Sequence, residues 1–181
     1  TDAGTTVTIS FTSDNPSGAP CVADIETFTL TVSPLPAAAG IISGTATVCQ
    51  GALTVAYSVP AIANAASYTW AYSGSGATIN ASTNSITINF AANATSGNLT
   101  VTGTNTCGNG TISANYPITV SPLPSAAGAI TGTATVCQGA NSVSYSVPAI
   151  ANATSYTWGY SGSGATINGS TNSITINFAA N

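Results

Sequence analysis

The chain of 181 residues has no Lys, no Arg, no His and no Met, and its charged side chains are four acids, Asp2, Asp14, Asp24 and Glu26. Each absence removes a class of function. Nothing in the chain can displace the counterions of a phosphate backbone, which excludes nucleic acid as a partner of this segment. An anionic membrane surface is excluded for the same reason. Catalysis near pH 7 would have to rest on four carboxylates and four thiols, so no catalytic residue and no enzyme activity is assigned. Asp24 and Glu26 alternate along one run and read as a solvated strand face. Asp2 and Asp14 read as loop residues; a weak calcium site completed by backbone carbonyls is the one metal arrangement they leave open, and no metal or cofactor residue is assigned. Ser, Thr, Asn or Gly interrupts every apolar run, so none reaches the roughly 20 residues that cross a bilayer as a helix, and no signal peptide is read. Lysine-based isopeptide staples are impossible, and trypsin has no cleavage site.

What is present is a repeat. Residues 33–93 recur as 121–181 at an offset of 88, with nine differences over the 61 positions; the two that change apolar content most are Leu53 to Asn141 and Ile41 to Ala129. The first copy runs on through Cys107 to Tyr116-Pro-Ile-Thr-Val120. Residues Val7-Thr-Ile-Ser10, Cys21 and Thr29-Leu-Thr-Val-Ser-Pro-Leu-Pro36 match that continuation. The order is therefore closing part (1–32), whole repeat (33–120) and opening part (121–181), about two domain equivalents of roughly 90 residues.

Period-two alternation runs through the repeat: Val55, Tyr57 and Val59 share a face, as do Tyr68, Trp70 and Tyr72, and as do Ile86, Ile88 and Phe90. Low charge alone would suit disorder, but abundant Val, Ile and Thr argue for an ordered all-β chain. Turn residues divide each unit into seven expected strands, 42–48, 54–59, 67–72, 77–80, 85–90, 98–104 and 111–120. That count in 88 residues predicts tandem antiparallel immunoglobulin-like β-sandwiches, with Trp70 and Trp158 as core plugs.

The Tyr68-Thr-Trp70 strand before a Gly/Ser turn, the Ser-Pro-Leu-Pro hinges and Thr45-Ala-Thr-Val-Cys-Gln-Gly51 resemble the PKD-like, immunoglobulin-like repeats of large secreted surface proteins of Bacteroidetes. The resemblance covers nearly the whole chain and implies a stalk or spacer. Trp70-Ala-Tyr-Ser-Gly-Ser75 stands where typical PKD domains carry an acidic run, so roles of those acids do not transfer.

Four cysteines without metal-ligand spacing point to disulfides and an oxidising, extracellular compartment; the alternative is four buried thiols. The expected bonds are Cys49–Cys107 within the whole repeat, stabilising by about 4 kcal/mol through loop closure, and Cys137 of one copy with Cys21 of the next. Glycosylation triplets at Asn80, Asn93, Asn98, Asn109, Asn152 and Asn168 suit chance in an Asn- and Thr-rich chain. The rows Thr45/Thr47 and Thr100/Thr102/Thr104 fill exposed strand positions, with carbohydrate as the alternative occupant.

Together these features predict an extracellular filament or stalk of identical copies placed head to tail, with an adhesin repeat that binds glycans or surfaces as the alternative. A heterologous head-to-tail contact extends without closing, and Pro-stiffened Ser-Pro-Leu-Pro connectors limit its bending. A net charge of −4 opposes such association only weakly. Two junctions are expected: a peptide bond from Asn181 to a residue like Thr1, for which the spacing across the join needs no extra residues, or strand complementation between separate subunits.

Overall fold

A computed structural model describes residues 4–13 and 24–180 of the chain. The readings placed on Thr1, Asp2, Asp14, Cys21 and Asn181 lie outside those residues. Every regular element described is a strand: β1 (Thr6–Thr12), β2 (Ile25–Thr31), β3 (Ser43–Gly44), β4 (Thr47–Cys49), β5 (Val55–Ser58), β6 (Ser67–Tyr72), β7 (Ala77–Asn80) and β8 (Ser85–Phe90). There follow β9 (Gly97–Asn105), β10 (Gly108–Asn109), β11 (Tyr116–Ser121), β12 (Thr131–Gly132), β13 (Val143–Ser146), β14 (Ala165–Asn168) and β15 (Ser173–Phe178). The chain divides into two compact units, one ending at Val120 and one beginning at Ser121.

Within the first unit, residues 33–120 form the expected sandwich. One sheet has the order β3-β5-β8-β7; the other runs β10-β9-β11-β4, with β6 also paired to β9. Alternation explains which side faces the core. Ile86, Ile88 and Phe90 on β8 point inward, as do Leu99, Val101 and Gly103 on β9, and the residues between them look outward. Leu99, Val101, Ile88 and Phe90 are fully buried, and Tyr57 and Ile118 nearly so. Strand boundaries fall close to expectation, with two exceptions. The run 42–48 divides into β3 and β4, each joined to a different sheet, and residues 111–115 form no strand.

Gly44 lies over the ring of Tyr57, where a Cβ would come within 2.2 Å of Cδ1. The Tyr57 hydroxyl in turn donates to Thr45 O at 2.8 Å. This contact holds the β3–β4 crossing over the core. Trp70 flanks the core instead of plugging it: the indole packs partly buried against the cluster and donates its N–H to Thr83 O at 2.8 Å. The buried aromatic positions belong to Tyr57 and Phe90. Trp158 is likewise half-buried, with its N–H to Thr171 O.

The second unit repeats only one sheet. Its order β12-β13-β15-β14 reproduces β3-β5-β8-β7, down to the pairing Val143↔Ile176 in place of Val55↔Ile88. Residues 135–137 and 155–160 are not strands, although they match β4 and β6 except for Gly159 in place of Ala71. The reason is pairing. β4 bonds to β11 and β6 bonds to β9, and among the described residues the second unit has no counterpart of β9 or β11.

Candidate functional site

Two surfaces stand out. The first is the open half of the second unit. In the first unit Gly103 packs against Ile62 and Ala65, and Gly110 against Pro36 and Ala37. The equivalent residues Ile150, Ala153, Pro124 and Ser125 line a groove of about 440 Å³ together with Tyr156 and Trp158. A second hollow of about 220 Å³ lies among Ile130, Tyr145, Trp158, Tyr160, Ile176 and Phe178. These hollows lie where β9 and the 110–113 segment sit in the complete domain. Tyr160 is 48% exposed.

The second surface is the β1–β2 hairpin, a two-stranded sheet of its own. Its register sets Val7 across from Leu30, Ile9 from Phe28 and Phe11 from Glu26, so these side chains share one face. Ile9, Phe11 and Phe28 are each more than half exposed. Leu30 and Val32 stand 88 positions before Ile118 and Val120, the two β11 residues buried in the complete domain. Asp24 and Glu26 are exposed at the start of β2, and the Asp24 carboxylate accepts the Ile25 N–H at 3.1 Å. They face no cationic partner, since the chain has none.

The expected Cys49–Cys107 bond is absent, and geometry explains why. Cys49 ends β4 beside Gln50 and Gly51, which bond to Ala94 O and Ala91 O in the turn that leads from β8 into β9. Cys107 lies past the far end of β9, its Sγ 3.6 Å from Ser33 O, next to Asn105, which donates to Pro34 O and Asn64 O. The eight steps of β9 between those ends span about 26 Å at ~3.3 Å per residue. A disulfide requires Cα atoms within about 7 Å. Cys49, Cys107 and Cys137 are all exposed free thiols, not buried ones. The pairing of Cys137 with Cys21 placed the same bond in a composite domain, and Cys21 lies outside the described residues. Sequence reading placed both cysteines correctly at strand ends but could not tell which end of the sandwich each occupied.

Among the described residues no cluster of His, Cys, Asp or Glu is arranged to hold a metal, and no helix is long and apolar enough to cross a membrane. The Thr row on β9 is only half-exposed. Thr104 shares a 2.6 Å hydrogen bond with Ser67, and Thr100 donates to Ala71 O at 3.5 Å. Those hydroxyls secure β6 to β9, and this leaves less of the row to offer a glycan.

The sequence profile of the PKD-like domain matches residues 35–118 and again residues 123–181. The chain belongs to the PKD-like domain family. Both matches fall on the repeat, and the second covers the second unit, whose described strands form one sheet. No curated protein sequence matches the chain.

Proposed function

We propose that the chain is a structural unit of an extracellular filament or stalk, in which the β1–β2 hairpin of one copy closes the open PKD-like unit of its neighbour. The observation that carries this reading is the match between two exposed apolar surfaces of one chain. Among the described residues the groove lined by Tyr156 and Trp158 has no β9 or β11 equivalent beside it, and the hairpin presents Leu30 and Val32, the counterparts of two buried β11 residues, with Ile9, Phe11 and Phe28 unburied. The residues then group as a split domain, 121–181 completed by 1–32 of the next copy, alternating with the whole domain 33–120. Each copy offers one groove and one hairpin on different parts of its surface, so the contact is heterologous and propagates as a chain of domains. The same docking serves separate subunits and successive periods of one long polypeptide. A tandem array of this kind suits the large secreted surface proteins of Bacteroidetes that its sequence resembles, and a mechanical role needs no catalytic group.

Electron microscopy of the concentrated chain, with Trp158 fluorescence in a Trp70→Phe background, tests the reading. Filaments and a blue shift of Trp158 are expected, and Phe11→Asp should abolish both while leaving the 33–120 domain folded. A monodisperse chain with an unshifted Trp158 at all concentrations would refute it. Continuous main-chain density from Asn181 to Thr1 in a filament map identifies a single polypeptide; a gap identifies strand complementation.

A further inference from the structure

The three described thiols are exposed and unpaired, and two of them sit at opposite ends of one domain. Their surroundings say what each end meets. Cys107 lies where the chain comes in, its S–H directed at the carbonyl of Ser33 at 3.6 Å. Cys49 lies where the chain goes out. Tyr116 Oη bonds to Gly44 O, and Thr119 N bonds to Ala46 O at 2.8 Å, so β4 and β11 advance in the same direction. At their common end Val120 N donates to Ser96 Oγ at 2.9 Å. Cys49, the last residue of β4, thereby lies at the end of the sheet where the neighbouring β11 also ends.

Ser33 and Ser121 are the same position of the repeat, 88 residues apart, each opening a Ser-Pro-Leu-Pro connector. One cysteine approaches that serine from the domain before the connector and the other from the domain after it. We propose that a disulfide of this protein crosses the connector at Ser33: Cys137 of one copy bonds Cys107 of the next. The inference rests on the head-to-tail reading above. It replaces a bond within each domain by one between consecutive domains. The connector at Ser33 then carries a covalent staple beside the main chain, and tension on it is shared by both.

The bond forms by thiol–disulfide exchange with an oxidised disulfide reagent or a dithiol oxidase. Two protein S–H bonds break and one S–S bond forms, while the S–S of the oxidant is reduced to two thiols that take up the two protons and two electrons.

The test is to assemble the chain in oxidised glutathione, block free thiols by alkylation, digest with pepsin because trypsin has no site, and map linked peptides by mass spectrometry. A Cys137–Cys107 peptide is expected, lost in Cys107→Ser and in Cys137→Ser, with filaments still seen by microscopy in both variants. A Cys49–Cys107 peptide, or filaments in which all four thiols are alkylated, overturns the staple and leaves the filament standing. Absence of filaments both with the oxidant and with reductant overturns the head-to-tail reading, and the staple with it.

Discussion

Phe90 and Phe178 occupy the same position of the repeat inside identical stretches, 85–93 and 173–181, yet truncating them should have unequal consequences. Phe90 is fully buried and packs edge-on against Tyr72 with centroids 5.8 Å apart. Phe178 keeps the same partner geometry with Tyr160 at 5.9 Å but is only half-buried, beside the hollow where β9 and β11 would lie. Phe90→Ala removes the transfer free energy of the ring and leaves a closed cavity, which costs about 3–5 kcal/mol. Phe178→Ala in the dispersed chain forfeits part of the transfer term and makes no enclosed cavity, so about 1 kcal/mol is expected. Docking of a hairpin seals the site, and the cost should then rise into the Phe90 range. Urea unfolding followed by Trp70 alone (Trp158→Phe) and by Trp158 alone (Trp70→Phe) reads the two units separately. Equal losses in the dispersed chain, or a Phe178→Ala penalty unchanged by assembly, would refute the argument that the second unit is an open version of the first.

Two further outcomes follow from single residues. Burial, reinforced by the neighbouring Tyr116 and Tyr72 phenols, pushes the Tyr57 hydroxyl from 10.0 up to about 12. The folded domain then keeps a proton that the unfolded chain releases. The Tyr57 contribution is therefore complete below about pH 10 and is lost as pH rises towards about 12. Urea midpoints measured across that window should fall for the native chain and fall less steeply for Tyr57→Phe, which also lacks the hydrogen bond to Thr45 O. Ala81 holds a φ of 98°, where the second copy places Gly169 at 110°. Ala81→Gly should relieve the strain and raise the stability of the first domain by about 1 kcal/mol, seen as a higher urea midpoint with an unchanged slope.

Much of the fold was legible because its signals are local. The alternation Ile86-Thr-Ile-Asn-Phe90 marks a strand with one buried face wherever it occurs, and it forms β8 in one unit and β15 in the other. The turns around Gly51, Gly76 and Gly108 carry positive φ angles of 77°, 68° and 137° that glycine accommodates. The tryptophans misled the reading because a large aromatic on an alternating strand suggests a core plug, whereas Trp70 stands on a strand at the margin of the sheet with its N–H committed to Thr83 O. The cysteines misled it because neighbouring glycines disclose a strand end but not which end of the sandwich.

By itself the sequence determined the period and the all-β class. These follow from counting residues and from two-residue alternation, and neither depends on what lies far away in the chain. Tertiary structure decided which thiols lie at which pole, which aromatics are buried, and whether a given stretch is a strand at all. Ser67–Tyr72 is a strand because β9 pairs with it, and the matching stretch 155–160 is not, because a strand is completed by its neighbour's hydrogen bonds and that neighbour is supplied from outside the repeat's first 61 residues.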